Sequence, residues 1–223
     1  MICYLCLTSI KEDTTWSNFL NPQYRTICDH CEEKLDKITH PHCQKCMKPT
    51  DNEKCGDCLR WEQHFGEDPL GRNVSIYTYN DYMKDLIARF KYRGDYEMIN
   101  AWKKSVRTSF NEQFNNQDLL VVPIPLGEDR YTIRQFNQAE AIASLLNEPI
   151  HQLLTRQDGQ KQSKKSRRER VFSNNPFQLK EQPPESILLV DDIYTTGTTI
   201  RQAASLLKEA GAEHVQSLTL IRS

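Results

Sequence analysis

The sequence predicts an α/β protein: a parallel sheet with helices on both faces, preceded by a small metal-stapled module. Three observations carry this prediction. Eight cysteines fall into four Cys-x-x-Cys pairs, all before residue 59. An apolar run, Ile187–Val190, leads into two adjacent acids and a Thr/Gly turn that opens a helix. A second apolar run, Leu119–Leu126, is interrupted by prolines and also leads into a helix. Strand–loop–helix units repeated in this way build parallel sheets.

The N-terminal module comes first. Its pairs are Cys3/Cys6, Cys28/Cys31, Cys43/Cys46 and Cys55/Cys58. A Cys-x-x-Cys turn presents two thiolates to one tetrahedral metal ion, so eight thiolates make two closed structural zinc sites. Pairing in chain order, first knuckle with second and third with fourth, gives a double zinc ribbon over residues 1–62. Cross-braced pairing is the alternative. The chain opens Met-Ile-Cys-Tyr-Leu-Cys without a basic n-region or apolar h-region, so reduced thiols and a cytoplasmic location are expected rather than a disulfide framework. Four pairs in a row also disfavour thioredoxin-type redox chemistry. His30, His40 and His42 are read as bystanders, because four cysteines already fill each site. A polar segment of about 60 residues cannot build an adequate core, whereas structural zinc contributes about 10–16 kcal/mol per site. On this view Cys28→Ser unfolds the module and leaves the α/β part, residues 63–223, intact.

Within that part, Leu86–Asp95 reads as a helix end closed by Gly94. Pro123 and Pro125 cannot both sit in a sheet interior, so the next strand must end in a fixed loop there. Arg130, the box Arg134-Gln-Phe-Asn-Gln138 and a helix through Ala139, Ile142, Ala143 and Leu146 follow. Residues 156–175 form a long basic loop, with six basic residues between Lys161 and Arg170 and no hydrophobic periodicity. Asp191 and Asp192 then stand at the carboxyl end of Ile187–Val190, where open α/β sheets place ligands. Thr195, Thr196, Gly197, Thr198 and Thr199 offer hydroxyls and free N–H groups at a helix start, an anion cradle. Ile200, Ala203, Ala204 and Leu207 mark that helix, Gly211 its stop, and His214–Ile221 the following strand.

Carboxylates beside an anion cradle repel a bare phosphate and suit a polyol joined to a phosphate, or a ligand that brings a divalent cation. The segment from Ile187 to Thr199 resembles the 5-phosphoribosyl 1-pyrophosphate (PRPP) motif of type I phosphoribosyltransferases. That resemblance implies that Asp191 and Asp192 hold the ribose hydroxyls and that Thr195–Thr199 wrap the 5′-phosphate. The proline-interrupted strand, the Arg134–Gln138 box, the Phe90-Lys-Tyr-Arg-Gly94 helix end and the spacing of Gln162, Arg170 and Asn174 resemble the ComF (ComFC) late-competence proteins, as do the cysteines. This chain carries Gln135 where the family usually has Gly; if that position requires positive φ, Gln135 is expected to adopt another geometry.

Two function classes follow. The resemblance implies a competence protein for natural transformation, handling incoming single-stranded DNA in the cytoplasm beside a ComFA-type helicase/ATPase partner and keeping a PRPP site. The alternative is an active phosphoribosyltransferase that moves ribose 5-phosphate from Mg²⁺-bound PRPP to an acceptor. Asp191, Asp192 and Arg134 are its candidate catalytic groups, and Arg170 a further PRPP ligand. Glutamine hydrolysis by Cys3 is disfavoured, since metal ligation accounts for that residue. Lys164, Lys165, Arg167 and Arg168, with Lys91 and Arg93 beside Tyr92, are candidate contacts to a nucleic-acid backbone. The 223 residues carry a formal charge of -1, which supplies no global attraction to nucleic acid. Mean hydropathy is -0.70, and no apolar run approaches the ~18 residues of a membrane span, so membrane insertion is not expected.

Overall fold

The computed structural model describes residues 1–10, 25–115, 117–157 and 175–223. Two cysteine-rich loops come first, each carrying a helix directly after its second knuckle cysteine pair opens: α1 (Asp29–Glu32) behind Cys28 and α2 (Gly56–Phe65) behind Cys55. The chain continues as β1 (Asn73–Thr78), α3 (Asp81–Tyr92), a 3₁₀ turn (Tyr96–Ala101), α4 (Lys103–Phe114), β2 (Leu120–Pro123), α5 (Glu128–Arg134) and α6 (Gln138–Ser144). It ends with β3 (Leu154–Arg156), β4 (Phe177–Leu179), β5 (Ser186–Tyr194), α7 (Thr198–Glu209) and β6 (His214–Arg222).

Four strands form one sheet in the order β1-β6-β5-β2, and every pairing within it is parallel. The expected architecture is therefore present. β5 alternates between two cores: Leu188 and Val190 enter one with Met83, Leu86, Phe90 and Ile142, whereas Ile187 and Leu189 enter the other with Ile200, Ala203, Ala204 and Leu207. A strand buried on both faces reads as a continuous apolar run for this reason. Asn80 caps α3 by accepting from the Met83 N–H at 2.8 Å. β3 and β4 pair antiparallel, and Gln157 N–H donates to the Pro176 carbonyl at 2.9 Å. The residues flanking 158–174 are thus held together; the basic loop expected there lies outside the described residues.

The cysteine-rich loops do not stand apart from the sheet. Cys3, Leu5, Ile10, Cys31 and Leu35 share the first core, and Cys43, Cys46, Cys55 and Cys58 share the second. One knuckle pair therefore lies on each face of the sheet. The segment after α1 also covers the outer edge of β1: Ile38 N–H donates to the Ile76 carbonyl at 3.1 Å and Thr78 N–H to the Asp36 carbonyl at 2.9 Å. The β2 edge is covered in part by the His151 N–H on the Val121 carbonyl, 2.9 Å. Unpaired edges invite strand addition from another chain, and these two contacts reduce that exposure.

Two sequence expectations need correction. β5 does not stop at Val190 but runs through Asp191 and Asp192 to Tyr194, because β6 continues beside it to Arg222. Gln135 does not avoid the left-handed region; it takes φ 65° as the residue closing α5. Its N–H donates to the Tyr131 carbonyl at 2.8 Å, so a helix-closing hydrogen bond offsets the steric cost that a side chain incurs there.

Candidate functional site

The two acids open the last four residues of β5, near the carboxyl edge of the sheet. Asp192 is buried and Asp191 partly so. The Asp191 carboxylate accepts from the Asp192 N–H at 2.8 Å. Burial pushes the Asp191 carboxyl up to about 7, and the neighbouring Asp192 adds to that, while Lys91 and Arg156 act the other way. Lys91, at the end of α3, places its Nζ 2.5 Å from Asp192 Oδ2. The lysine thus belongs to the acid pair, although its sequence context suggested a nucleic-acid contact. Arg93, two residues on, is exposed.

The Thr/Gly loop follows directly. Thr195 and Thr196 are exposed, Gly197 is buried, and Thr198 and Thr199 open α7. The Thr196 and Thr198 hydroxyls are hydrogen-bonded at 2.8 Å. Gly197 has φ 79°, and a Cβ there would collide with the Tyr194 hydroxyl and the Arg201 guanidinium. Only glycine therefore lets the loop turn this tightly onto the helix. The first turn of a helix turns N–H groups toward an approaching anion; here the Thr198 N–H already donates to the Thr196 hydroxyl at 3.4 Å.

The proline-bearing strand runs alongside. Ile124 N–H donates to the Val190 carbonyl at 2.9 Å, one residue before the acids. Asn137 ties the Arg134–Gln138 box to that strand: its side-chain amide donates to the Ile124 carbonyl at 3.0 Å, and its Oδ1 caps α6 by accepting from the Ala139 N–H. Arg134 faces elsewhere. It donates to Gln138 Oε1 at 2.8 Å and lies 5.5 Å from the Tyr92 ring centroid, and it forms no ion pair with Asp191 or Asp192 among the described residues. Arg170, Lys164, Lys165, Arg167 and Arg168, with Gln162 and Asn174, lie outside the described residues.

The cysteines form two clusters, Cys3/Cys6/Cys28/Cys31 and Cys43/Cys46/Cys55/Cys58, the pairing in chain order. Within each, the ligand atoms all lie within 4.8 Å of one another. Cys6 and Cys28 sulfurs are 3.7 Å apart, Cys43 and Cys58 3.8 Å, and Cys46 and Cys55 3.6 Å. Four sulfurs about 2.3 Å from a central ion stand roughly 3.8 Å apart in a tetrahedron, so both donor sets fit zinc. Backbone amides support the sulfurs: Cys28 N–H points at Cys3 Sγ (3.4 Å) and Cys55 N–H at Cys43 Sγ (3.3 Å). The same turn occurs twice, with Leu7 and Met47 each at positive φ and each donating to the carbonyl of its first cysteine. Among the described residues, no histidine joins either cluster.

Three residues that sequence reasoning passed over connect the second cluster to the Thr/Gly loop. Arg222 donates through Nε to the Cys46 carbonyl (3.0 Å), through Nη2 to Cys46 Sγ (3.5 Å), and through Nη1 to the carbonyls of Tyr194 (3.1 Å) and Thr195 (2.8 Å). Arg201, fully buried, forks onto Asp68 at 3.0 and 2.8 Å, reaches the Tyr194 hydroxyl, and points Nη2 at Cys58 Sγ, 3.9 Å. Trp61, on α2, donates its indole N–H to the Thr196 carbonyl at 2.8 Å. The Cys46 thiol is held down near 4 by hydrogen bonding with Cys58, with Arg222 helping against burial. Arg201 and Arg222 sit at one helical and one strand position without any motif, so only the fold reveals their partners.

Residues 136–223 match the model of the phosphoribosyl transferase domain. The whole chain is similar to the competence protein ComFC of Bacillus subtilis, 42% identical over 100% of this chain and 95% of that protein. It is similar to the ComFC protein of Streptococcus pneumoniae, 35% identical over the full length of both. The DNA utilization protein YhgH of Escherichia coli is 26% identical over 88% of this chain and 90% of its own length.

Proposed function

Because this chain belongs to the ComFC family of competence proteins, we propose that it handles incoming single-stranded DNA during natural transformation and binds a phosphoribosyl ligand, PRPP or a close relative, beside β5. One observation supports the ligand: two acids in the last residues of a parallel strand are followed directly by a Thr/Gly loop that opens a helix. Sugar hydroxyls donate to Asp191 and Asp192, and a 5′-phosphate accepts from the loop amides and the hydroxyls of Thr195, Thr196, Thr198 and Thr199. Gly197 keeps that loop close. Lys91 holds Asp192 until the ligand arrives and then offers its charge to a pyrophosphate.

Arg134, which now rests on Gln138 and Tyr92, and Arg170 are the candidate cations for the leaving pyrophosphate. Mg²⁺ enters with PRPP and would supply charge neutralisation at the pyrophosphate. Lys164, Lys165, Arg167, Arg168 and Arg93 are proposed as backbone contacts for single-stranded DNA. A ComFA-type helicase/ATPase is the proposed partner, with the cytoplasm as the compartment. No described helix is long and apolar enough to cross a membrane. Residues 1–62 act as the double zinc ribbon and 63–223 as the phosphoribosyltransferase-like unit in this reading.

Turnover of PRPP is the second reading, in which Asp191 and Asp192 would stabilise a developing oxocarbenium ion. Calorimetric titration with Mg²⁺ and PRPP, with and without a single-stranded oligonucleotide, tests both readings when pyrophosphate release is assayed in the same samples. Binding without release is the expected result. Release would establish a transferase, and absence of PRPP binding would remove the phosphoribosyl ligand.

A further inference from the structure

The second cysteine cluster and the Thr/Gly loop share side chains. A single guanidinium, that of Arg222, bonds Cys46 through its carbonyl and sulfur on one side and the carbonyls of Tyr194 and Thr195 on the other. Its planar donors are fixed relative to one another, so a shift of Cys46 is transmitted to the start of the loop. Arg201 repeats the arrangement from α7, between Cys58 and Tyr194, with Asp68 neutralising its charge. Trp61, three residues after Cys58 on α2, holds the Thr196 carbonyl. Arg201 packs 5.1 Å from the Trp61 ring and 5.9 Å from that of Tyr194, and Arg222 lies 5.0 Å from Tyr194. Both arginines are buried, which is costly for a cation unless every donor is matched.

We propose that Arg222, Arg201 and Trp61 couple metal occupancy of the Cys43/Cys46/Cys55/Cys58 cluster to the conformation of the 195–199 loop, so that zinc retention and anion binding strengthen each other. Four thiolates closed on a metal hold Cys46 and Cys58 in place. That fixes the two guanidinium groups and Trp61: Arg222 and Trp61 in turn hold three successive carbonyls, Tyr194, Thr195 and Thr196, while Arg201 holds the Tyr194 hydroxyl. The loop amides then point toward an incoming phosphate without further ordering. Coupling of two binding equilibria is reciprocal: whatever factor the metal adds to anion affinity, the anion adds to metal affinity. The anion half of this coupling rests on the phosphoribosyl reading above; the metal–loop half does not.

The test measures two quantities in the same samples of full-length protein: hydrogen exchange across the loop and the first turn of α7, where the Thr198 and Arg201 amides are hydrogen-bonded, and release of zinc to a chromogenic chelator. Arg222→Lys keeps the charge and loses the fork. Trp61→Phe keeps both arginines and all thiolates and removes one N–H. In each variant, loop exchange should rise roughly fivefold or more, and one zinc equivalent should leave correspondingly faster. The other equivalent and exchange in β5 should keep their wild-type rates. A loosened loop with unchanged zinc release, or neither quantity moving, overturns the coupling. If Arg222→Lys loses protection throughout β5, Trp61→Phe decides alone by the same criteria. Adding Mg²⁺ and PRPP to the wild type should slow release of that same equivalent by about fivefold or more. Calorimetric binding of PRPP without any such slowing overturns the reciprocal half. Failure to bind PRPP at all counts against the phosphoribosyl ligand, and loop exchange then judges the metal–loop coupling by itself.

Discussion

Asp191 shows how a single residue makes the site pH-sensitive. Its ordinary carboxyl value of 3.8 is pushed up to about 7 by burial and by Asp192, so the folded chain keeps a proton that the unfolded chain releases between those values. Its contribution to stability therefore falls as pH rises from about 4 to about 7. Ligand binding runs the opposite way, because a sugar hydroxyl needs the carboxylate as acceptor. PRPP affinity should increase about tenfold between pH 6 and pH 8, and Asp191→Asn should flatten that dependence in a calorimetric titration series. A flat wild-type profile would show that Asp191 does not receive the ligand as a carboxylate. Lys91 is the other residue whose chemistry changes with its surroundings: an apparent surface cation in the sequence, it is an ion-pair partner of Asp192 in the fold.

Among the elements, the joint between α5 and α6 carries a clear expectation. Gln135 closes α5 at φ 65°, a conformation that costs a side-chain-bearing residue roughly 1–2 kcal/mol. Gln135→Gly should stabilise the chain by about 0.5–1 kcal/mol after allowing for the greater freedom of glycine in the unfolded state, read as a higher urea midpoint with unchanged slope. Destabilisation would mean that the Gln135 side chain, which donates to the Thr132 carbonyl, matters more than the backbone. This joint also marks the limit of what the residues reveal by themselves. The apolar run Ile187–Val190, the prolines, the helix from Thr198 and the cysteine knuckles signal their structures locally, through period, missing donors and ligand spacing. The length of β5 did not, because its last four residues are strand only by virtue of β6 beside them. β1 and α4 likewise lack a sharp local signal. The contacts of Arg201 with Cys58 and of Arg222 with Cys46 join positions 143 and 176 residues apart, and separations of that size leave no periodicity to read.

For the whole molecule, the decisive fact is that each face of the sheet receives one cysteine cluster in its core. The expectation that the ribbons unfold alone changes accordingly. Cys28→Ser, which removes one ligand from the first cluster, should release one zinc and lower the stability of the sheet as well, by about 2 kcal/mol or more given the scale of structural zinc binding. Urea unfolding followed by far-ultraviolet circular dichroism checks this. A sheet transition at the wild-type midpoint, with one zinc lost, would show that the ribbon folds independently. The pairing of β1 with β6 has a consequence for how the chain is made. Ser75 and Thr219 are register partners 144 residues apart, and at the usual pace of a ribosome that distance takes roughly 7–30 s to synthesise. Throughout that interval the nascent β1 lacks its inner neighbour, while Asp36–Ile38, already translated, are available to cover the outer one. The stretch of translation between β1 and β6 is therefore when the growing polypeptide is most open to mispairing with another, and when a chaperone has most to shield.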